Sequence, residues 1–104
     1  MLTLNLEDSR KVNIYDGTKV WYQNGKLHRD NGPAAEYANG RKAWYQNNKR
    51  HRLDGPAVER ANGGKEWWHN GNLHREDGPA VECANGRKVW YRNGEPQVAS
   101  PELQ

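Results

Sequence analysis

The chain has 104 residues, a formal net charge of +3 at neutral pH and a mean hydropathy of −1.27. Its length suits one domain and is too short for two ordinary ones. Five Trp and five Tyr stand beside no Phe and one Met, so a core must rely on aromatic rings, each of which can bury about 150–250 Å². Sixteen Lys and Arg against thirteen Asp and Glu is only mildly basic. This balance permits an anionic partner but lacks the dense basic patch of dedicated nucleic-acid-binding proteins.

The terminal segments and the cysteine content bear on the compartment. Cys83 is the only cysteine of the sequence, which excludes an intramolecular disulfide. Residues 1–9 lack the basic region and long apolar run of a signal peptide, and no stretch approaches the roughly 18 apolar residues of a membrane span. We therefore expect a soluble, cytoplasmic protein without membrane insertion. Residues 1–9 are expected to form a lead-in or capping strand, and residues 98–104 a C-terminal tail.

A unit of 23 residues recurs about four times between residues 10 and 97. Such a fixed period is typical of repeat architectures. The columns that recur at this interval are Trp21, Trp44, Trp67 and Trp90; Tyr22, Tyr45, Trp68 and Tyr91; Lys19, Lys42, Lys65 and Lys88; His28, His51 and His74; and Arg29, Arg52 and Arg75. The first and last units are degenerate, as expected for stacked repeats that have no neighbour on one side.

Each unit is predicted to contain two short strands. For example, residues 57–61 form the first strand, Asn62-Gly63 a hairpin turn and residues 65–69 the second strand. Asn-Gly favours the type I′ turn, because both of its central residues need positive φ. A second turn follows at Asn70-Gly71, and Asp77-Gly78-Pro79 reverses the chain into the next unit.

Helices are not expected, because Gly or Pro interrupts the chain about every eight residues. The sequence therefore predicts an all-β fold in which tandem 23-residue β-hairpin repeats form an elongated antiparallel meander sheet. This array should contain about eight strands and extend from about residue 10 to residue 97. Its hairpin tips are expected at Asn39-Gly40, Asn62-Gly63 and Asn85-Gly86.

The expected register assigns side chains to two faces, because neighbours in a strand point to opposite sides. A two-residue loop at Asn39-Gly40 places Ala35 opposite Trp44, and another at Asn47-Asn48 places His51 beside Trp44. One face then carries a row of Val, Trp and His side chains. The opposite face carries the columns Tyr22, Tyr45, Trp68, Tyr91; Ala34, Ala57, Ala80; Glu36, Glu59, Glu82; and Arg29, Arg52, Arg75. A bulge in either turn would swap the faces downstream.

The aromatic and Asn-Gly signature of the unit resembles MORN repeats, specifically the divergent MORN-like variant of bacteria, phages and large viruses. The segments that carry the resemblance are Trp21-Tyr22-Gln23-Asn24-Gly25, Trp67-Trp68-His69-Asn70-Gly71 and Trp90-Tyr91-Arg92-Asn93-Gly94. The resemblance implies an elongated, twisted single-layer sheet that serves as a binding or scaffolding surface, in some members towards lipids. It implies no catalytic motif.

Metal and catalytic sites are not expected. Neighbouring units place their histidines about 10 Å apart at the usual strand spacing, too far for one zinc ion with Zn–N bonds of about 2.0–2.1 Å. Cys83 with His74 or His51 imitates a nucleophile and its base, but the Cys83 column otherwise holds Ile14, Tyr37 and Arg60. We therefore expect no metal, no cofactor and no enzymatic activity.

The function expected from the sequence is a non-catalytic protein-binding module. Tyr, Trp and Arg are enriched at binding hot spots. The expected partner-binding residues are Tyr22, Tyr45, Trp68, Tyr91, Arg29, Arg52 and Arg75. Small size and the resemblance suit a phage-encoded inhibitor of a host defence system, such as an anti-CRISPR protein in the host cytoplasm.

Two alternatives stay open at the level of the sequence. One is a nucleic-acid or nucleotide-binding sheet, in which the aromatic rings stack on bases. The other is a self-assembling structural repeat protein, since the open edges of a sheet invite pairing into a homo-oligomer.

Overall fold

The computed structural model describes residues 10–13 and 16–97. The predicted lead-in strand at residues 1–9 and the predicted tail at residues 98–104 lie outside these residues. Within them the chain forms fifteen short strands and no helix, which confirms the all-β prediction. Consequently, no helix among these residues is long and apolar enough to cross a membrane.

The strands follow the repeat. They are β1 (Arg10–Asn13), β2 (Lys19–Gln23), β3 (Lys26–Leu27), β4 (Ala35–Glu36), β5 (Lys42–Ala43), β6 (Tyr45–Gln46), β7 (Lys49–Arg50), β8 (Val58–Glu59), β9 (Lys65–Glu66), β10 (Trp68–His69), β11 (Asn72–Leu73), β12 (Val81–Glu82), β13 (Lys88–Val89), β14 (Tyr91–Arg92) and β15 (Glu95–Pro96). The main sheet has the order β1-β2-β4-β5-β8-β9-β12-β13, with every pair antiparallel, and β3 pairs with β2. Three two-stranded ribbons, β6–β7, β10–β11 and β14–β15, extend from it.

The turns at Asn39-Gly40, Asn62-Gly63 and Asn85-Gly86 are longer than their Asn-Gly pairs predict. Around Asn39-Gly40, the Gly40 amide donates to the Tyr37 carbonyl at 2.9 Å, and the Tyr37 amide donates to the Arg41 carbonyl at 2.8 Å. The loop therefore contains three residues, 38–40, and Gly40 has a φ of 95°. A three-residue hairpin loop of this kind combines a type I turn with a left-handed residue, a conformation that glycine adopts without steric cost.

The longer loop shifts the pairing by one residue. Ala35 lies opposite Ala43, and Glu36 lies opposite Lys42. The expected pairing of Ala35 with Trp44 is therefore wrong. Because side chains alternate along a strand, the one-residue shift moves the Trp column onto the face of the Lys and Glu columns.

The second turn of each unit has the predicted two-residue form. Asn47 and Asn48 have φ values of 51° and 70°, as a type I′ turn requires. The His51 amide donates to the Trp44 carbonyl at 3.1 Å, which confirms the expected placement of His51 beside Trp44.

One face of the main sheet carries a ladder of alternating charges. The successive partners across the strands are Lys19, Glu36, Lys42, Glu59, Lys65, Glu82 and Lys88. Opposite charges at facing positions each contribute from a few tenths to about 1 kcal/mol. The ladder therefore favours this register over a slipped one.

The other face carries the core. Its successive partners are Val20, Ala35, Ala43, Val58, Glu66, Val81 and Val89. Ala35, Ala43 and Val58 are completely or almost completely buried, and Tyr45 and Trp68 pack against them. The core is thus a thin layer of small side chains under aromatic rings.

Candidate partner-binding surface

A Trp ring and an Arg guanidinium stack together in successive units. The Arg Cζ atom lies 3.8–3.9 Å from the centroid of the Trp ring in three pairs. The pairs are Arg29 on Trp21, Arg52 on Trp44 and Arg75 on Trp67. The sequence-based assignment of Trp and Arg to opposite faces is therefore wrong, because it depended on the two-residue loop.

Hydrogen bonds hold each guanidinium in place. Arg52 donates from Nη1 to the Pro56 carbonyl at 3.0 Å and to Glu59 Oε2 at 3.2 Å, and from Nε to Asp54 Oδ1 at 3.1 Å. Arg29 and Arg75 make the same Nη1 contacts in their own units. The expected pairing of the Glu and Arg columns is confirmed, and it fixes the loop that follows each His-Arg pair.

The loop glycine closes the other side of the stack. A Cβ atom at Gly55 would lie 2.9 Å from Arg52 Cζ, closer than side chains tolerate. The same distance recurs at Gly32 and Gly78, each against the Arg of its own unit. The Asp-Gly-Pro sequence thus lets the backbone cover the guanidinium, which lies between the Trp ring and the loop.

The histidine column connects each loop to the following unit. His51 Nδ1 accepts a hydrogen bond from the Asn70 amide at 3.0 Å. The pairs His28 with Asn47 and His74 with Asn93 repeat this contact at 3.1 and 3.0 Å. When the ring is neutral and Nδ1 accepts, the proton is on Nε2. These contacts agree with the expected structural role of the column.

Three histidines converge around the middle loop. The His69 ring centroid lies 4.7 Å from that of His51 and 5.9 Å from that of His74. His74 Nε2 lies 2.9 Å from Glu76 Oε2, whereas the equivalent loop position after His51 holds Leu53. Burial lowers the pKa of His51, and repulsion by His69 lowers it further. No group of three or more His, Cys, Asp or Glu in residues 10–13 and 16–97 is arranged to hold a metal ion.

The lowered pKa of His51 predicts acid sensitivity. Between that pKa and the ordinary value of 6.5, the unfolded chain binds more protons than the folded chain, so stability falls as the pH falls through this range. His69→Gln should reduce this loss, because the substitution removes the repelling imidazole and places the residue found at Gln23 and Gln46. Urea unfolding of both proteins at several pH values between 7.5 and 5.5 measures the difference (a window set around the ordinary His pKa). An unchanged pH dependence in the variant would contradict it.

Two similar grooves lie side by side along the loops. Groove 1 has a volume of about 710 Å³ and groove 2 about 720 Å³. Groove 1 is lined by residues that include Arg29, Asp30, Trp44, His51, Leu53 and Asp54. Groove 2 is lined by residues that include Leu53, Asp54, Trp67, His69, His74 and Asp77. We call these two grooves with their shared Leu53 the groove row.

The rim of the groove row is acidic, and its middle is apolar. The side chains of Asp30, Asp54 and Asp77 are 71, 87 and 90% exposed. Leu53 is 80% exposed and contributes to both grooves. The groove row was not expected from the sequence, because its walls depend on how the loops fold over the Arg–Trp stacks.

The predicted partner-binding residues do not form one patch. Tyr22 is exposed, whereas Tyr45, Trp68 and Tyr91 are half-buried. Tyr45 and Trp68 pack against the core and together line a smaller pocket of about 310 Å³. The three arginines lie on the Trp rings, and they and Trp68 are among the residues that line the groove row. A partner-binding role for these residues stays a prediction.

The third unit contains a charged cluster on the core face. Glu66 occupies the position that Val20, Ala43 and Val89 hold in the other units, and its relative exposure is 9%. Trp68 Nε1 donates to Glu66 Oε1 at 2.8 Å, and Arg60 forms an ion pair with the same carboxylate. Sequence analysis missed this cluster, although Glu66 and Arg60 both depart from their columns.

The pKa of Glu66 reflects two opposing effects, of which burial raises it. The hydrogen bonds from Trp68 and Arg60 and the positive charges of Arg60 and Arg50 outweigh burial, so the pKa lies below the ordinary value of 4.5. The stabilisation by this cluster is therefore complete above pH 4.5 and is lost as the pH falls through the lowered pKa.

Arg60→Ala should lower the free energy of unfolding by about 1–2 kcal/mol at pH 7, since a charged hydrogen bond is lost and solvent screens the half-exposed Arg60. The loss should diminish in acid, where Glu66 becomes neutral. Arg87→Ala, at an exposed arginine, is the control and should change little. Urea titrations of both variants at pH 7 and at successively lower pH values, through the lowered pKa of Glu66, measure the loss. A loss that stays the same after Glu66 is protonated would show that Arg60 does not act through Glu66.

Comparison with known proteins adds no relative to this geometry. A scan against protein-family models and searches of curated proteins and of solved structures found no match for this chain. The candidate surface is therefore defined by the contacts of the chain's own residues.

Proposed function

We propose that the chain is a non-catalytic protein-binding module that uses the groove row as its contact surface. The observation that carries the proposal is the repetition of similar grooves, each with a Trp ring and exposed carboxylates, around the exposed Leu53. Binding hot spots are typically aromatic or apolar groups in pockets at the centre of a contact surface. Several such pockets in a line can act on one partner at once.

The grooves are held in shape before any partner arrives. The Arg52 guanidinium on Trp44, its bond to the Pro56 carbonyl and the contact between His51 and Asn70 each fix part of a wall. Binding to a surface that is already ordered requires little loss of conformational entropy. This favours the groove row over the Tyr22 side of the sheet, where Tyr45 packs against the core.

The charge pattern favours a protein partner over nucleic acid. The Lys column faces Glu at the neighbouring strands, so it offers no uninterrupted basic stripe. The rim of the groove row exposes carboxylates, which repel phosphates. Nucleic-acid binding would instead weaken steeply as salt rises, and a gel-shift titration at low salt tests that alternative.

A narrower form of the proposal concerns the architecture and the partner. The 23-residue units and the extents of 64 × 28 × 17 Å suit a MORN-like array that presents a long surface. Under this form the partner is a host defence protein, and the chain inhibits it. The identity of the captured partner tests this form.

Affinity capture with matched variants tests the proposal. The immobilised chain is exposed to cell lysate, and captured proteins are quantified by mass spectrometry for the wild type, Leu53→Ser and Tyr22→Ala. We expect to find a protein that the wild type and the Tyr22→Ala variant capture and that the Leu53→Ser variant does not capture. Leu53 is 80% exposed and Tyr22 is 36% exposed, so Leu53→Ser removes fewer contacts than Tyr22→Ala, and thermal melts show whether each variant is folded. Retention by Leu53→Ser with loss by Tyr22→Ala would assign the contact to the Tyr side.

A further inference from the structure

We propose that the groove row binds a polyproline II segment of the partner, with residues three apart seated in the two grooves and basic side chains at the rim. This inference rests on the proposed protein-binding function and names the class of peptide that the grooves accept. It is supported by the spacing of the grooves, the residues that line them and the charges around them.

The groove spacing expected from the strand order is close to the period of a polyproline II helix. Trp44 follows β5 and Trp67 follows β9, and β8 lies between these strands in the sheet. Two strand spacings amount to about 9.4–9.8 Å. A polyproline II helix repeats every three residues with a rise of about 3.1 Å each, or about 9.3 Å.

Other regular conformations fit the spacing less well. Same-face residues of an extended strand recur every two residues, or about 6.6–6.8 Å. An α-helix advances about 5.4 Å per turn, so one turn is too short and two turns, about 10.8 Å, are too long. The ligand that places equivalent side chains in both grooves is therefore a segment with a three-residue period.

The residues of the grooves suit pyrrolidine rings. Trp44 and His51 line groove 1, and Trp67 and His74 line groove 2. One face of each Trp ring is covered by the stacked guanidinium, so the ring contributes its remaining surface to the groove. Aromatic-lined grooves bind proline-rich segments because these segments are already ordered and lose little entropy. Leu53 lies between the two grooves and can contact the residues that join the two seated positions.

The charges of the groove row select basic peptides. Asp54 Oδ1 and Asp77 Oδ1 lie 3.1 and 3.4 Å from the Nε atoms of Arg52 and Arg75, and 87 and 90% of the two aspartate side chains is exposed. Each of these guanidinium groups also pairs with a Glu, so one positive charge is shared by two carboxylates. The guanidinium groups of Arg52 and Arg75 are only 23 and 24% exposed and already bind the Pro carbonyls and Glu carboxylates of their own units. A Lys or Arg in the peptide therefore meets exposed negative charge at the rim.

Synthetic peptides test the spacing and the charge. The probe is a fluorescent peptide of four Pro-Ala-Arg triplets, compared with Pro-Ala-Ala-Arg repeats of equal length and with four Pro-Ala-Glu triplets. Fluorescence anisotropy with the full chain should show the first peptide binding about tenfold or more tightly than either control, the step in affinity expected for losing one seated position. Nuclear magnetic resonance should show shifts at the indole N–H groups of Trp44 and Trp67.

Variants of the chain provide matched controls. Leu53→Ser should weaken binding of the triplet peptide about tenfold, a step typical of losing one central contact. The double variant Asp54→Asn with Asp77→Asn should weaken it and reduce its salt dependence, and Asn31 already occupies the equivalent position in the first loop. Tyr22→Ala should bind as the wild type does. Equal melting temperatures show that the variants are folded.

Several outcomes would overturn the inference. They are equal affinity for the two spacings, preference for the acidic peptide, indole shifts absent while the peptide binds, and no binding of any peptide. If a captured protein still depends on Leu53 in any of these cases, the protein-binding function stands and only the peptide class is wrong. If no captured protein depends on Leu53, the groove row itself is wrong.

Discussion

Trp44→Ala is expected to lower the free energy of unfolding by about 3 kcal/mol, near the low end of the range for truncated buried aromatics. The ring is half-buried, and Arg52 lies 3.9 Å from its centroid. Its removal leaves the guanidinium without its stacking partner and opens groove 1. Because Trp44 lies in a central unit, its loss destabilises the neighbouring units on both sides.

Trp90→Ala is the matched control for this substitution. Trp90 occupies the same column in the last unit, where position 98 holds Val instead of Arg. Its loss should cost less than half as much, since no guanidinium stack is broken. Urea denaturation followed by circular dichroism measures both variants. Equal losses for Trp44→Ala and Trp90→Ala would show that the Arg–Trp stack contributes nothing to the stability of the array.

Arg52→Ala is expected to cost about 2–3 kcal/mol, because it removes charged hydrogen bonds and a cation–π contact from a largely covered side chain. A substitution at Gly55 tests whether the packing of the Arg52 guanidinium against the loop accounts for part of this loss of stability. Gly55 does not have a left-handed φ, so alanine is compatible with its backbone. In the wild type, Gly55→Ala should cost about 1 kcal/mol, the low end for overpacking, because the end of the Arg52 side chain must shift away from the new Cβ.

In the Arg52→Ala background the same Gly55→Ala change should be neutral or stabilise by about 0.4–1 kcal/mol, because the collision is gone and the unfolded chain is less flexible. A double-mutant cycle of urea midpoints measures this reversal of sign. An identical cost of Gly55→Ala in both backgrounds would place the collision elsewhere and contradict the stacked arrangement.

Local turn chemistry explains what the sequence predicted well. The 23-residue period, the absence of helices in residues 10–13 and 16–97, and the His51–Trp44 pairing all follow from Gly, Pro and Asn positions. The absence of helices and the His51–Trp44 pairing depend only on residues a few positions apart. The pairing of Glu59 with Arg52 also followed, because opposite charges recur at a fixed interval.

The register of the first turn was not predictable from the Asn-Gly pair alone. Asn-Gly suits a two-residue type I′ loop, but a left-handed Gly40 suits a three-residue loop equally well. In the folded chain, Asn39 Oδ1 accepts the Arg41 amide at 2.9 Å, a contact that favours the longer loop. The one extra residue in this loop determines which face of the sheet carries the Trp column, and therefore which candidate surface forms.

The charged cluster of the third unit had a detectable signal. Glu66 and Arg60 of this unit, and Arg50 of the preceding unit, each replace an apolar, aromatic or small residue of their columns. A sequence cannot show that Glu66 and Arg60 meet, because the turn between them brings them together. When two residues of one unit both depart from their columns and carry opposite charges, as Glu66 and Arg60 do, the sequence indicates an ion pair between them.

Site-specific photo-crosslinking tests the proposed contact surface most directly. A photoreactive amino acid replaces Leu53 in one sample and Tyr22 in another, and each is irradiated with the captured partner or with lysate. The groove row predicts a crosslinked protein band from position 53 and none from position 22. A crosslink from position 22 alone, or from neither position, would contradict the proposal that the groove row binds a protein.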